Sequence, residues 1–308
     1  MDNIAISVEH VKKIYKLYDR NRDRLKDALG FSKKPLGKEH YALNDVSFQV
    51  GQGETVGIIG TNGSGKSTLL RCISNVYPSH EGAIIFDGKN ILDNKNFFKK
   101  IGYLSQTFGT FKDLSVKEVM SFFAYLKGIE KRSIDTEVNY AIEKVNLYEN
   151  INDKINSLSG GMMRRLGIAQ AIIGEPKIIL LDEPVVGLDP KECLEFKNVM
   201  RELKNNAIII ISTHDIESIE TLCDYVIVIN KGELIDSGSP KKISQHATNK
   251  VYIIPSEDER IINGKYMVEK RYVCNDRSFL RILSNEKQNY STINPTLEDG
   301  YLCLIENI

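Results

Sequence analysis

The chain has 308 residues, and its 41 Lys and Arg are balanced by 41 Asp and Glu, which fits a globular protein able to bury a large core. No apolar run approaches the roughly 20 residues needed to cross a bilayer, because the longest, residues 207–211, is strand-sized and ends at Ser212. The N-terminal residues do not resemble a secretory signal, so any membrane-spanning part is expected on another polypeptide.

In chain order, residues 4–8, 42–50 and 83–86 read as strands of a flanking antiparallel sheet. An insert, residues 18–40, separates the first two. Its middle, from Asn21 to Gly30, reads as a short helix with Leu25, Ala28 and Leu29 on one side, Asn21 as cap and Gly30 as stop. Arg20, Arg22, Arg24, Lys26, Lys33, Lys34 and Lys38 outnumber the acids nearby. The near-continuous apolar stretches Thr55–Ile59, Ile101–Leu104, 177–181, 207–211 and 225–229 suit central parallel strands covered on both faces. They alternate with amphipathic helices, so the expected fold class is α/β with a doubly wound core.

Two helix starts are written in the sequence. Ser115 and Glu118 form a capping-box pattern ahead of Val116, Val119, Phe123 and Leu126 on one stripe, with Gly128 as the stop. Asp189 and Pro190 open another helix, whose Cys193, Phe196, Met200 and Leu203 are expected to face inward. After residue 245, Pro255, Gly264 and strand-like stretches such as Tyr266–Cys274 mark a small α/β extension over residues 246–308, closing on a helix-like segment at 295–302. The five cysteines, Cys72, Cys193, Cys223, Cys274 and Cys303, lack metal-ligand spacing and are expected to be reduced, with Cys193 and Cys223 as small core residues.

The segment with the most chemistry is Gly60-Thr-Asn62-Gly63-Ser64-Gly65-Lys66-Ser67, followed by Thr68. It lies between a strand and a helix, the context that makes this pattern a phosphate-binding loop. Its glycines let consecutive N–H groups turn inward as an anion nest, and the helix adds its positive end. Lys66 is placed to reach the terminal phosphates of a nucleotide, and the Ser67 hydroxyl to ligate Mg2+.

Further along come Leu158-Ser159-Gly160-Gly161-Met162 and an apolar strand ending in Asp182-Glu183-Pro184. On these motifs the chain resembles the ATP-binding cassette (ABC) family over residues 4–245. Gln106 matches that family's Q-loop, Leu158 to Met162 its signature, and Asp182 and Glu183 its Walker B pair. Gly187 to Pro190, with Asp189, match its D-loop, and His214 its switch. The resemblance implies a P-loop cassette with a mixed sheet core, an antiparallel β subdomain and a helical subdomain at about residues 107–173. It implies ATP and Mg2+ as cofactors, with Asp182, Ser67 and Gln106 near the metal. Glu183 would orient and deprotonate the attacking water, His214 would contact the terminal phosphate, and Lys66 would neutralise charge. Tyr15 would stack on adenine, with Tyr18 or Tyr41 as alternatives because the insert displaces the usual spacing. Ser159, Gly160 and Gly161, at the positive end of a helix, would close over ATP held by a second cassette, with Asp189 at the interface.

The function so implied is the ATPase subunit of an ABC transporter. It would act as a dimer on a separate membrane permease, at the cytoplasmic face of the membrane. The stretch after Gln106 and the ending at 295–302 look like export cassettes for drugs, peptides or lipids. The insert, with Tyr15 to Arg20 and His40 to Val46, resembles cassettes that export teichoic acids and other cell-surface polysaccharides, although the signature here has the common Leu-Ser-Gly-Gly form. Its basic residues read either as a solvated charged face or as a gating or docking element at an anionic membrane surface. The alternative from another class is a soluble ABC ATPase acting on DNA or ribosomes. The short span between Gln106 and the signature, without heptads, opposes it, and no nucleic acid is expected. Intact Glu183 and His214 oppose a cassette that binds without hydrolysing.

Overall fold

The computed structural model describes residues 4–29, 37–109 and 111–308. It divides into two compact units, Met1–His214 with Ile229–Leu234, and Asp215–Val228 with Ile235–Ile308.

The first unit contains, in order, β1 (Ile4–Leu17), α1 (Asn21–Ala28), β2 (Lys38–Gly51), β3 (Thr55–Ile59), α2 (Lys66–Ile73), β4 (Glu81–Phe86), β5 (Lys89–Asn90), α3 (Phe97–Lys100), β6 (Ile101–Leu104), α4 (Val116–Leu126), α5 (Ile134–Lys144), α6 (Gly160–Ile172), β7 (Ile178–Asp182), α7 (Pro190–Leu203) and β8 (Ile208–Ser212). Strands β3, β8, β7 and β6 lie side by side and run parallel. Every residue of β3, β7 and β8 is buried, as expected for strands with both faces covered. The register sets Asp182 beside Ser212 and Ser212 beside Ile58, so the ends of three strands align. Ligands in open α/β sheets bind at this carboxyl edge.

The antiparallel sheet has the order β2-β1-β4-β5. Its first strand runs well past residue 8, because β1 stays paired to β2 as far as Leu17↔Lys38, whereas its last partner on β4 is Lys12↔Glu81. The outer half thus pairs on one edge only, and its lysines break the apolar alternation that would announce a strand. In α1 the N-cap is Arg20, without a side-chain cap, rather than Asn21. Leu25 and Leu29 are exposed, so that stripe covers no core. Gly30, Lys33 and Lys34 lie outside the described residues.

Helix α4 carries the expected capping box between Ser115 and Glu118. Its buried stripe is Val116, Val119, Met120 and Ala124, and Leu126 falls off it into solvent. The helix is apolar on several sides, so the sequence did not single out the packed one. In α7, Phe196 and Met200 are buried, while Cys193 and Leu203 are only half-buried.

The second unit adds α8 (Ile216–Leu222), β9 (Tyr225–Asn230), β10 (Glu233–Gly238), α9 (Pro240–Ser244), β11 (Val251–Pro255), β12 (Tyr266–Cys274), β13 (Arg277–Ser284) and α10 (Leu297–Glu306), with Ile229–Leu234 returning to the first unit. Antiparallel strands in the order β11-β13-β12 form its sheet. Asn275 and Asp276 both have positive φ, which makes the tight β12–β13 hairpin turn. Thr296 and Asp299 cap α10, and the N–H of Leu297 donates to Glu220 of α8 at 3.3 Å. Ala247, Val251, Leu283, Cys303 and Ile308 share one buried cluster. The compact unit that holds the tail therefore begins earlier than residue 246, since α10 packs on helices that precede it. Inside, the Arg281 guanidinium donates to Glu269 at 2.6 Å and to Asp299 at 2.5 Å. No helix among the described residues is long and apolar enough to cross a membrane.

Candidate nucleotide site

The loop between β3 and α2 is built by close approach. A Cβ on Gly60 would lie 2.2 Å from the carbonyl oxygen of Ile229, and Gly65, at φ 114°, would meet that of Ala42 at 2.7 Å. Side chains at either position would push the loop off its bed. The bed is also hydrogen-bonded: the N–H of Gly232 donates to Ser64 O at 2.8 Å, and that of Asn44 to Gly232 O at 2.8 Å. Asn62 and Gly63 are exposed at the rim, while Ser64 is buried with no partner for its Oγ among the described residues.

Lys66 is 6% exposed, and its ammonium donates to the carbonyls of Gly60 at 2.8 Å and Thr61 at 3.1 Å. Burial lowers its pKa, and the nearby Glu183 and Asp182 oppose that shift. The ammonium is thus held at the loop, and among the described residues no carboxylate is bonded to it. An anion entering the loop meets a cation already positioned.

Asp182 is fully buried. Its Oδ1 accepts from Ser67 Oγ at 3.0 Å and from Ser212 Oγ at 2.5 Å, whereas its Oδ2 has no hydrogen-bond partner among the described residues. A buried carboxylate oxygen left unpaired is costly. A carboxylate beside a hydroxyl, at the mouth of a phosphate loop, is the oxygen donor set that a hard divalent cation such as Mg2+ takes. The residues present fit a magnesium–nucleotide complex.

Glu183 follows with φ 52°, a left-handed conformation that costs of order 1–2 kcal/mol for a residue with a Cβ. Its N–H donates to Ser212 O at 2.9 Å. Its carboxylate Oε2 lies 2.8 Å from Nδ1 of His214, and the carboxylate is buried while the imidazole is open to solvent. The sheet register explains the meeting: β7 and β8 end side by side, and both residues follow those ends.

Of the three candidate tyrosines, Tyr15 is half-buried, and burial raises the pKa of its phenol against the opposing effect of Thr68 on α2. The hydroxyl of Tyr18 is instead taken by Asp27 at 2.6 Å, and Tyr41 is exposed. Ser159 caps α6, its Oγ accepting from the N–H of Met162 at 3.1 Å, and Ser159 and Gly160 are exposed. Among the described residues, no hydrogen bond joins Ser159, Gly160 or Gly161 to the phosphate loop of the same chain. Asp189 caps α7 through a capping box with Glu192 and is exposed. The Gln106 side chain is also exposed, and its carbonyl accepts from Arg164 at 3.2 Å.

Arg164 was not singled out by the sequence. It is 8% exposed, and its guanidinium donates to backbone carbonyls throughout: Pro184 at 3.1 Å, Ser105 at 3.3 Å, Gln106 at 3.2 Å, Asp182 at 2.5 Å, and Glu183. The available signal was an arginine on the second turn of a helix with an apolar side, where a long cation needs a dedicated set of acceptors to be buried.

The family model described as ABC transporter matches residues 43–186. The uncharacterized ABC transporter ATP-binding protein YxlF of Bacillus subtilis (strain 168) is 34% identical over 236 residues, which cover 77% of this chain and 78% of that protein. ABC transporter A family member 8 of Dictyostelium discoideum is 33% identical over 66% of this chain, but only 24% of that longer protein is covered. Among solved structures, the dimeric post-hydrolysis state of the ATP-binding cassette MJ0796, bound to ADP and Pi, aligns with a TM-score of 0.66 at 25% identity, over 76% of this chain and 98% of that one. CbiO1 from Clostridium perfringens, part of the ABC transporter complex CbiONQ, aligns at 0.61 with 28% identity, over 79% and 91%. The chain belongs to the ABC transporter ATP-binding cassette family. It is an ATPase of the P-loop cassette fold.

Proposed function

We propose that this chain works as one half of a dimeric ATPase, with each nucleotide pocket completed by the second copy, and that it drives a separate membrane permease. The observation that carries the reading is the buried, unpartnered Oδ2 of Asp182 beside Ser67 and Lys66. In this reading the loop 60–68, with Lys66, holds the phosphates, and Asp182 with Ser67 holds magnesium, Gln106 approaching from its loop. Bound magnesium neutralises charge on the phosphates. Glu183 orients the attacking water and takes its proton, while His214, against Glu183, holds the terminal phosphate in place. Tyr15 supports the adenine by stacking.

The shared pocket is supported by the exposed signature turn. Ser159 to Gly161 sit at the positive end of α6, where first-turn amides lack helical partners, and among the described residues no hydrogen bond ties them to the phosphate loop of their own chain. Asp189 lies at the same interface in this reading. The dimeric MJ0796 cassette and the membership of CbiO1 in a transporter complex support a paired cassette and a membrane partner. Export, of a drug, peptide, lipid or cell-envelope polymer, is the direction favoured by the insert and by the closing helix. Localisation would be peripheral, on the cytoplasmic face of the membrane.

Dilution tests the shared pocket. ATP turnover per molecule of purified chain should fall as concentration drops below the dimer dissociation constant. A rate per molecule that stays flat for a monomer verified by light scattering contradicts it. Copurification with an integral-membrane protein from solubilised membranes tests the permease.

A further inference from the structure

We infer that Arg164 is the positioning residue for Glu183. The inference rests on the reading of Glu183 as the residue that activates water. An arginine carries five N–H donors in a rigid planar fork. In this chain the fork serves carbonyls from two segments, Ser105 and Gln106 after β6, and Asp182, Glu183 and Pro184 after β7. Among the described residues its hydrogen bonds all go to backbone carbonyls, and against the cost of burial the nearby Asp182 and Glu183 favour its charge.

What the fork grips is the strained turn. Glu183 sits at φ 52°, and such a conformation persists only where the surroundings over-determine it. Its N–H is fixed by Ser212 O at 2.9 Å, and Arg164 holds the carbonyls before it, on it and after it. With the peptides on both sides tied, the Glu183 side chain leaves the backbone in one direction, toward His214 at 2.8 Å. The same fork ties the peptide of Gln106 to that turn, so the Q-loop and Glu183 keep a set separation. Arg164 lies on α6, whose first residues form the signature turn. It acts through backbone, without touching substrate.

The test separates this role from plain folding. Arg164→Gln and Arg164→Lys in the full chain are compared with wild type for kcat and KM of ATP hydrolysis, for affinity of a fluorescent N-methylanthraniloyl-ATP probe, and for the thermal midpoint. Misplacing Glu183 should cost about 100-fold in kcat in Arg164→Gln, with KM and probe affinity within about threefold of wild type. Lysine keeps the charge but lacks the fork, so a folded Arg164→Lys should fall between the two. A kcat within about twofold of wild type in folded Arg164→Gln overturns the inference, as does a loss of kcat matched by an equal loss of probe affinity. If Arg164→Gln does not fold, Arg164→Lys decides, and wild-type kcat in it overturns the role. Glu183→Gln, run alongside, tells the two readings apart. Full hydrolysis there removes the role of Glu183 itself, whereas inactive Glu183→Gln with fully active Arg164 variants removes only the role of Arg164.

Discussion

Nδ1 of His214 lies 2.8 Å from Oε2 of Glu183, and the two side chains differ sharply in environment, 62% against 7% exposed. The carboxylate is held inside the turn, and the imidazole lies open to solvent. Changing Glu183 to Gln keeps shape and hydrogen bonding but removes the basic oxygen. Turnover should fall at least about 100-fold, the size of a lost general base. Nucleotide binding should persist, and a dimer should accumulate in ATP on size-exclusion chromatography. His214→Ala should also slow turnover with binding retained.

Lys66→Ala removes the cation that the loop holds between the carbonyls of Gly60 and Thr61. A charge-assisted hydrogen bond contributes about 1.5–3 kcal/mol, so nucleotide affinity should drop by about 10- to 100-fold. Titration with a fluorescent nucleotide measures it, and undiminished affinity contradicts the phosphate assignment.

The phenol of Tyr15 is influenced by Thr68 of α2, whereas the hydroxyl of Tyr18 donates to Asp27. Loss of stacking costs about 1–3 kcal/mol per base. Tyr15→Ala should therefore raise the KM for ATP by about fivefold or more. Tyr18→Ala should leave it unchanged. The reverse ranking would transfer the adenine to Tyr18.

The second unit should carry a pH signature. Burial, and then the adjacent Asp299, push the Glu269 carboxyl up to about 7. Asp299, against the cost of its own burial, is held below the usual range by hydrogen bonds from Arg281, Glu269 and Thr296. A carboxyl with a raised folded value binds more protons when folded than when unfolded, so its stabilising contribution is present at low pH and fades as pH rises toward about 7. Asp299 contributes in the opposite sense, and only at more acidic pH. Thermal unfolding of the full chain should thus report a less stable second unit at pH 8 than at pH 5.5, roughly a few degrees. Glu269→Gln should flatten that difference, and an unchanged slope would remove Glu269 as its source.

Much of this protein is legible one residue after another because its chemistry is written in contiguous segments. The phosphate loop needs adjacent glycines, Lys66 and Ser67 in one turn, and the Asp182–Glu183 pair sits at the end of its own apolar strand. Capping boxes at Ser115 and Asp189 involve residues three apart, so local spacing suffices to see them. The central strands announce themselves by near-continuous apolar runs. The outer half of β1 did not, since its lysines interrupt the apolar alternation, although Lys13 itself is buried with its ammonium on Pro78 O. The α4 stripe was misjudged at Leu126 because a helix apolar on several sides does not say which side packs.

Tertiary structure decided what depends on neighbours distant in sequence. The early start of the second unit came from α10 packing on α8 and α9. The pairing of Glu183 with His214 follows from two strands ending in register. Arg164 is the clearest case, since its partners after β6 and β7 come together only when the sheet is assembled. Local periodicity and short motifs report which residues a segment carries. Hydrogen bonds between segments depend on register and crossing, and those exist only in the folded chain.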